Sequence, residues 1–194
     1  VLAHAKTFER LCMGQLHETL PRPPGTDPVD HYIQVLADKT GSLIAVSARY
    51  GAMLTRAGAA TEGVVEEFGE KIGVAFQLAD DVIDLAGDSE TTGKTPGTDL
   101  REGVDTMPVL LLRKALAAGE LDAAGQAILS RLSTGNLADD AVLADVVARL
   151  RLHPVLARTR EMAMTWAREA VGALAGLEDA VLAGTRERLD AAGI

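Results

Sequence analysis

The sequence predicts an all-helical fold, and three observations carry that expectation. Alanine and leucine dominate while aromatics make up only 3% of the chain. That composition favours helix, because strands draw on aromatic and β-branched residues. Apolar residues recur at three- and four-residue steps along most of the chain. Clear breakers fall between those runs, above all at residues 21–28 and 87–106.

The first helix is expected over residues 2–19, where Phe8, Leu11, Cys12, Gln15, Leu16 and Thr19 fall on one face. Four prolines and Gly25 in residues 21–28 end it. A long helix follows over 30–56, with Tyr32, Leu36, Leu43, Val46, Tyr50 and Met53 as its apolar stripe. After a turn at 57–61 the next helix runs to about residue 86, with Val65, Phe68, Ile72, Phe76, Ala79 and Ile83 as its core side. Residues 87–106 hold four glycines, a proline and several charges without periodicity. They read as a loop, and loops of that length in a compact domain are usually functional or disordered. Further helices are expected near 108–118, 122–133, 138–150, 154–175 and 177–192, as scaffold. With no repeat or linker, residues 1–194 read as part of a single domain.

A net charge of −9 argues against a nucleic-acid partner, since no basic stripe exists to neutralise phosphates. It is compatible with small phosphorylated ligands, which acidic sites bind through Mg²⁺. The single cysteine, Cys12, allows no intrachain disulfide. With no signal-peptide pattern and no apolar run of about 18 residues, the expectation is a cytoplasmic protein. Cys12 and the methionines are expected in the core. His4, His17, His31 and His153 show no metal-ligand spacing and are expected at the surface or in local hydrogen bonds.

Chemistry concentrates on the third long helix. Gln77, Asp80, Asp81 and Asp84 fall in one sector of it, with Gly73 on the same side where it would let a ligand approach. At roughly 6 Å and an effective dielectric near 20, each pair of carboxylates repels by about 3 kcal/mol. The C-terminal end of a helix adds to the conflict. A divalent cation removes it, and oxygen ligands without neighbouring His or Cys favour Mg²⁺ over zinc. A solvated acidic face is the plainer alternative. Lys39 falls between Leu36 and Leu43, where a buried ammonium needs an anionic partner.

The segment Phe76-Gln77-Leu78-Ala79-Asp80-Asp81-Val82-Ile83-Asp84 resembles the second aspartate-rich motif of the trans-isoprenyl diphosphate synthases. Gly93-Lys94-Thr95-Pro96-Gly97-Thr98-Asp99-Leu100-Arg101-Glu102-Gly103, followed by Thr106-Met107-Pro108, is similar to the family's succeeding loop. Lys39-Thr40 resembles its mid-helix Lys-Thr pair, and Gly14-Gln15 its earlier Gly-Gln pair. The order and spacing agree across residues 14–108.

The resemblance implies a bundle of long antiparallel helices around a central cavity, the isoprenoid synthase type, with its first helices preceding residue 1. It implies a Mg²⁺-dependent, homodimeric prenyltransferase. An allylic prenyl diphosphate would ionise and alkylate isopentenyl diphosphate to give an all-trans polyprenyl diphosphate. It implies Asp80 as a direct metal ligand, and Asp81 and Asp84 acting through metal-bound water. Lys39, Lys94 and Gln15 would bind the substrate diphosphate. Lys39, Thr40 and Gln77 would act at the reacting centre. The first aspartate-rich motif and the basic isopentenyl diphosphate segment do not occur in these 194 residues, so residues 1–194 alone are expected to be inactive. Val104 stands where the family often has a lysine. A non-catalytic regulatory subunit of a heteromeric synthase and a terpene cyclase are the alternatives.

Overall fold

The computed structural model describes residues 2–87 and 95–191, and all regular structure among them is helical. In chain order the helices are α1 (Leu2–Thr19), α2 (Pro28–Leu36), a π turn (Ala37–Gly41), α3 (Ser42–Leu54) and α4 (Ala59–Ala86). Then come α5 (Thr98–Arg101), α6 (Met107–Ala118), α7 (Ala123–Thr134), α8 (Asp140–Leu152), α9 (Pro154–Ala173), a 3₁₀ turn (Leu174–Gly176) and α10 (Leu177–Ala191). The expected boundaries hold to within a few residues. Within the expected loop, the described residues Thr98–Arg101 form a short helix, α5, which follows Gly97 at φ 81°. None of the described helices is long and apolar enough to cross a membrane.

The chain divides into two compact units. The first comprises residues 1–26, 31–77 and 164–194. Here α1, the π turn and α3 pack on one another, and glycines set how closely. A Cβ on Gly14 would lie 2.9 Å from both Asp38 Cβ and Lys39 Cγ. One on Gly73 would lie 2.5 Å from Gly41 Cα, and one on Gly69 would lie 2.6 Å from Ala45 Cα. At Gly69 and Gly73 backbone meets backbone, and at Gly14 the first atoms of the Asp38 and Lys39 side chains stand in the way, so only glycine fits. Gly73 therefore serves helix packing rather than the ligand approach expected from its place beside the aspartates.

The second unit comprises residues 27–30 and 78–163. Leu78, Leu85, Met107, Val109, Leu112, Ile128, Leu143, Val146 and Leu150 are buried in it, and α6–α8 pack in sequence. Side chains cap several of its helices. Asp122 accepts from Gly125 N–H at 2.7 Å to start α7, and Asp139 accepts from Ala141 N–H at 2.8 Å to start α8.

Two expected apolar faces are out of phase. On α1 the packed side is Thr7, Arg10, Gly14 and His17, while Phe8, Cys12 and Leu16 are exposed. On α4, Phe76 is 61% and Ile83 51% exposed, while Val74, Leu78 and Leu85 are fully buried. Phe76, Asp80 and Ile83 step by four and three along one exposed face, with Asp84 half-buried beside them. Apolar size alone places Phe8, Cys12 and Leu16 in the core, whereas α1 packs through small and polar residues. Cys12, Met13, Met53 and Met164 are exposed rather than core, and Met107 is buried. The histidines do make local contacts. His31 Nε2 donates to the His17 carbonyl at 3.1 Å, and His153 Nε2 lies 3.1 Å from Asp122 Oδ1.

Candidate active site

Lys39 and Thr40 sit inside the π turn, where Ser42 N–H reaches back to the Ala37 carbonyl. A π turn carries one residue more than an α turn, and such insertions gather at functional sites. The Lys39 ammonium lies 2.5 Å from Glu18 Oε2, and Gln15 Nε2 donates to the same oxygen at 3.0 Å. Gln15 and Lys39 thus meet on one carboxylate oxygen of Glu18. A partly exposed ion pair of this kind is worth at most about 1 kcal/mol, so Glu18 holds Lys39 only weakly. Lys39 is neither fully buried nor unpaired. Thr40 Oγ1 donates to Gln77 Oε1 at 3.2 Å, which brings that candidate pair together across two helices.

In the second unit, Asp80, Asp84 and Asp99 line an open cleft of about 420 Å³ together with Ile83, Gly87, Thr95, Pro96 and Thr98. Asp84 is held by the segment that follows it. Thr98 N–H donates to its Oδ1 at 3.2 Å, and Gly97 N–H donates to its backbone carbonyl at 2.9 Å. The end of α4 is closed by Arg151, whose guanidinium donates to the carbonyls of Leu85 at 2.5 Å and Gly87 at 2.8 Å. A cation there satisfies carbonyls that the helix leaves open and offsets its dipole.

Partial burial pushes the Asp84 carboxyl above its ordinary range, and the charges of Asp99 and Asp80 push the same way. The Thr98 and Asp99 N–H groups pull against them. Protons therefore bind Asp84 more tightly in the folded, metal-free protein than in the unfolded chain. Stability drops as pH rises from the ordinary carboxylate pKa through the raised folded value. Asp84→Asn should accordingly raise the melting temperature of the metal-free protein at neutral pH, and the advantage should shrink in acid. A melting temperature lowered by the substitution at pH 7 would contradict this electrostatic account.

Asp81 has a different place. It is 4% exposed, it is not among the side chains lining the cleft, and its Oδ2 accepts from Met107 N–H at 3.0 Å. It holds the start of α6 against α4. The two adjacent aspartates thus sit in different surroundings, as neighbours about 100° apart on a helix do.

The donor set suits a hard cation. Asp80, Asp84 and Asp99 offer oxygen only. Among the described residues no group of three His, Cys, Asp or Glu side chains converges closely enough to hold a metal alone. A bound ion would complete its shell with water and ligand oxygens, which is how Mg²⁺ is usually held. Lys94 lies outside the described residues. Asp99 is the cleft residue to which sequence reasoning gave no role, although it stands in the quoted loop. Its signal in the sequence was its place two residues after Gly97 in that loop.

Residues 2–142 match the family model for polyprenyl synthetases. The chain belongs to the polyprenyl synthetase family. It is 39% identical over 177 residues to a nonaprenyl diphosphate synthase of Mycobacterium tuberculosis, covering 90% of this chain and 50% of that protein. It is 35% identical over 177 residues to a dimethylallyltranstransferase of the same organism, covering 51% of that protein. Among solved structures it is similar to a geranylgeranyl pyrophosphate synthase from Corynebacterium glutamicum, crystallised with calcium and isoprenyl diphosphate. The TM-score is 0.73 at 33% identity, over 95% of this chain and 59% of that one. A heptaprenyl diphosphate synthase from Staphylococcus aureus, at 18% identity and TM-score 0.73, shares the fold. The chain spans about half the length of the curated relatives it matches.

Proposed function

We propose that this chain forms part of a prenyltransferase that joins an allylic prenyl diphosphate to isopentenyl diphosphate, giving an all-trans polyprenyl diphosphate. The observation that carries the reading is the cleft lined by Asp80, Asp84 and Asp99, on a chain of the polyprenyl synthetase family. Mg²⁺, when bound, would neutralise the leaving diphosphate and so favour ionisation. Asp80 and Asp84 would hold it, with Asp99 beside them, and Asp81 would fix the register of α4 against α6. Lys39 would exchange Glu18 for a diphosphate oxygen, helped by Gln15 and by Lys94. Thr40 and Gln77 would turn oxygen dipoles towards the allylic cation. A homodimer and a cytoplasmic setting fit this reading. A regulatory subunit without chemistry would have no use for the paired Lys39-Thr40 and the carboxylate cleft together.

Residues 1–194 supply one aspartate-rich helix, so this segment alone is expected to make no product. Its own half-site should still bind metal. In a melting experiment, Mg²⁺ with inorganic diphosphate should raise the transition of the cleft-bearing unit, and Asp80→Asn should abolish the rise. In parallel, the segment is incubated with farnesyl diphosphate, labelled isopentenyl diphosphate and Mg²⁺. Extended product from a sample whose intact mass is that of residues 1–194 would overturn the half-site account. No metal response in either form would remove the cleft from the mechanism.

A further inference from the structure

We infer that Arg10 and Asp38 are positioning residues, joined in an ion-pair chain that fixes the π turn presenting Lys39 and Thr40. The functional half of this inference rests on the proposed function, and the structural half does not. Asp38 lies inside the π turn, directly before Lys39, and is only 7% exposed. Both of its oxygens are engaged. Oδ1 accepts from Arg10 Nε at 2.9 Å, and Oδ2 accepts from Gln34 Nε2 at 3.0 Å. The rest of the Arg10 guanidinium is forked onto Glu70, with Nη1 at 2.9 Å from Oε2 and Nη2 at 3.0 Å from Oε1. One cation therefore ties together α1, the π turn and α4. These are the elements that carry Gln15, Lys39 with Thr40, and Gln77.

The arrangement answers a physical need. A π turn is rare and usually survives only as a single turn inside an α-helix, so what surrounds it matters for holding it. The glycine contacts at Gly14 and Gly73 press backbone against the turn from two sides, but such contacts set distance rather than rotation about the helix axis. The Arg10 guanidinium is planar and directional: its fork is fixed on Glu70, and its Nε then holds Asp38, the residue next to Lys39. With Arg10 in place the Asp38 charge is compensated. Without it, a buried carboxylate would have only the Gln34 amide and would be driven towards water, rotating the turn that holds the Thr40–Gln77 hydrogen bond.

A packing role for Arg10 and a charge-locking role differ in one respect. If Arg10 mainly fills space, removing the Asp38 charge does nothing for an Arg10 variant. If it locks a buried charge, Asp38→Asn relieves that variant. The experiment uses the full-length enzyme in wild-type, Arg10→Met, Asp38→Asn and Arg10→Met/Asp38→Asn forms. Amide hydrogen exchange is followed for residues 37–41, alongside kcat and KM for the allylic substrate. Arg10→Met should speed exchange in the turn at least about tenfold and lower kcat more than it raises KM. The double variant should recover most of both losses. Unchanged exchange at residues 37–41 in Arg10→Met, or a double variant no better than the single, would overturn the inference. If Arg10→Met does not fold, Glu70→Gln loosens the fork from its solvent side. It should speed exchange in the turn by a smaller factor, and an unchanged turn overturns the inference equally. A wild-type enzyme without prenyl transfer would sink the proposed function alone, because the exchange measurements would still decide the positioning.

Discussion

Asp80→Asn should lower the turnover of the intact enzyme by about three orders of magnitude, corresponding to roughly 4 kcal/mol of lost transition-state stabilisation. The size follows from what the side chain does rather than from its own contacts. Asp80 is exposed on the cleft beside Asp84 and Asp99. An amide in its place keeps the shape but presents a neutral oxygen, which binds a hard cation far less well than a carboxylate. What is lost is then the ion's share of the charge that ionisation puts on the diphosphate. The fold should be untouched, because the substitution removes one of the charges that push the Asp84 carboxyl upward. The checks are single-turnover rates at saturating Mg²⁺ and a melting curve without metal. A variant retaining more than a tenth of the wild-type rate would show that Asp80 is no metal ligand. A variant that melts early would show that its role is structural, as that of Asp81 is.

The contrast between these neighbours shows how far the sequence alone could be read. Helix positions were legible because breakers and apolar periodicity are local properties: residues 21–28 do end α1, and α4 does run to Ala86. The family was legible because its motifs occur in order between Gly14 and Pro108. Which side of that helix meets protein was not. Periodicity reports that an apolar stripe exists, and burial depends on the partner element. Phe76 and Ile83 carry the stripe, yet they stand on the open face with Asp80 and Asp84. Asp81 has the same chemistry as Asp80, and only the position of Met107 N–H assigns it to a helix start. The π turn was illegible for another reason. A single inserted residue shifts the phase by one position, which a stripe of scattered apolar residues absorbs unnoticed. Arg10, Asp38 and Glu70 are 28 and 60 positions apart along the chain, so no local pattern could link them.

Gly73→Val should be the most damaging single substitution for stability among the sites discussed, at about 3 kcal/mol or more. In the middle of a helix the usual expectation runs the other way, since replacing glycine by alanine gains up to about 1 kcal/mol of helix propensity. Gly63 and Gly73 lie on the same helix and separate the two effects. A Cβ on Gly63 would meet nothing within 4 Å, whereas one on Gly73 would stand 2.5 Å from Gly41 Cα and 2.9 Å from Gly41 N. Those atoms are backbone, and they belong to the last residue of the π turn, so no side-chain rotation can clear them. α4 and the turn must separate, which opens the contact that also holds Thr40 Oγ1 on Gln77. Gly63→Ala should therefore stabilise the protein by up to about 1 kcal/mol. Gly73→Ala should destabilise it by about 1–3 kcal/mol, and valine should cost more than alanine because its branches have even less room. Urea unfolding of the three variants, followed by circular dichroism, measures all of these differences. If Gly73→Ala matched Gly63→Ala in raising the midpoint, the close approach of α4 to the π turn would be refuted, and with it the packing that positions Lys39 and Thr40.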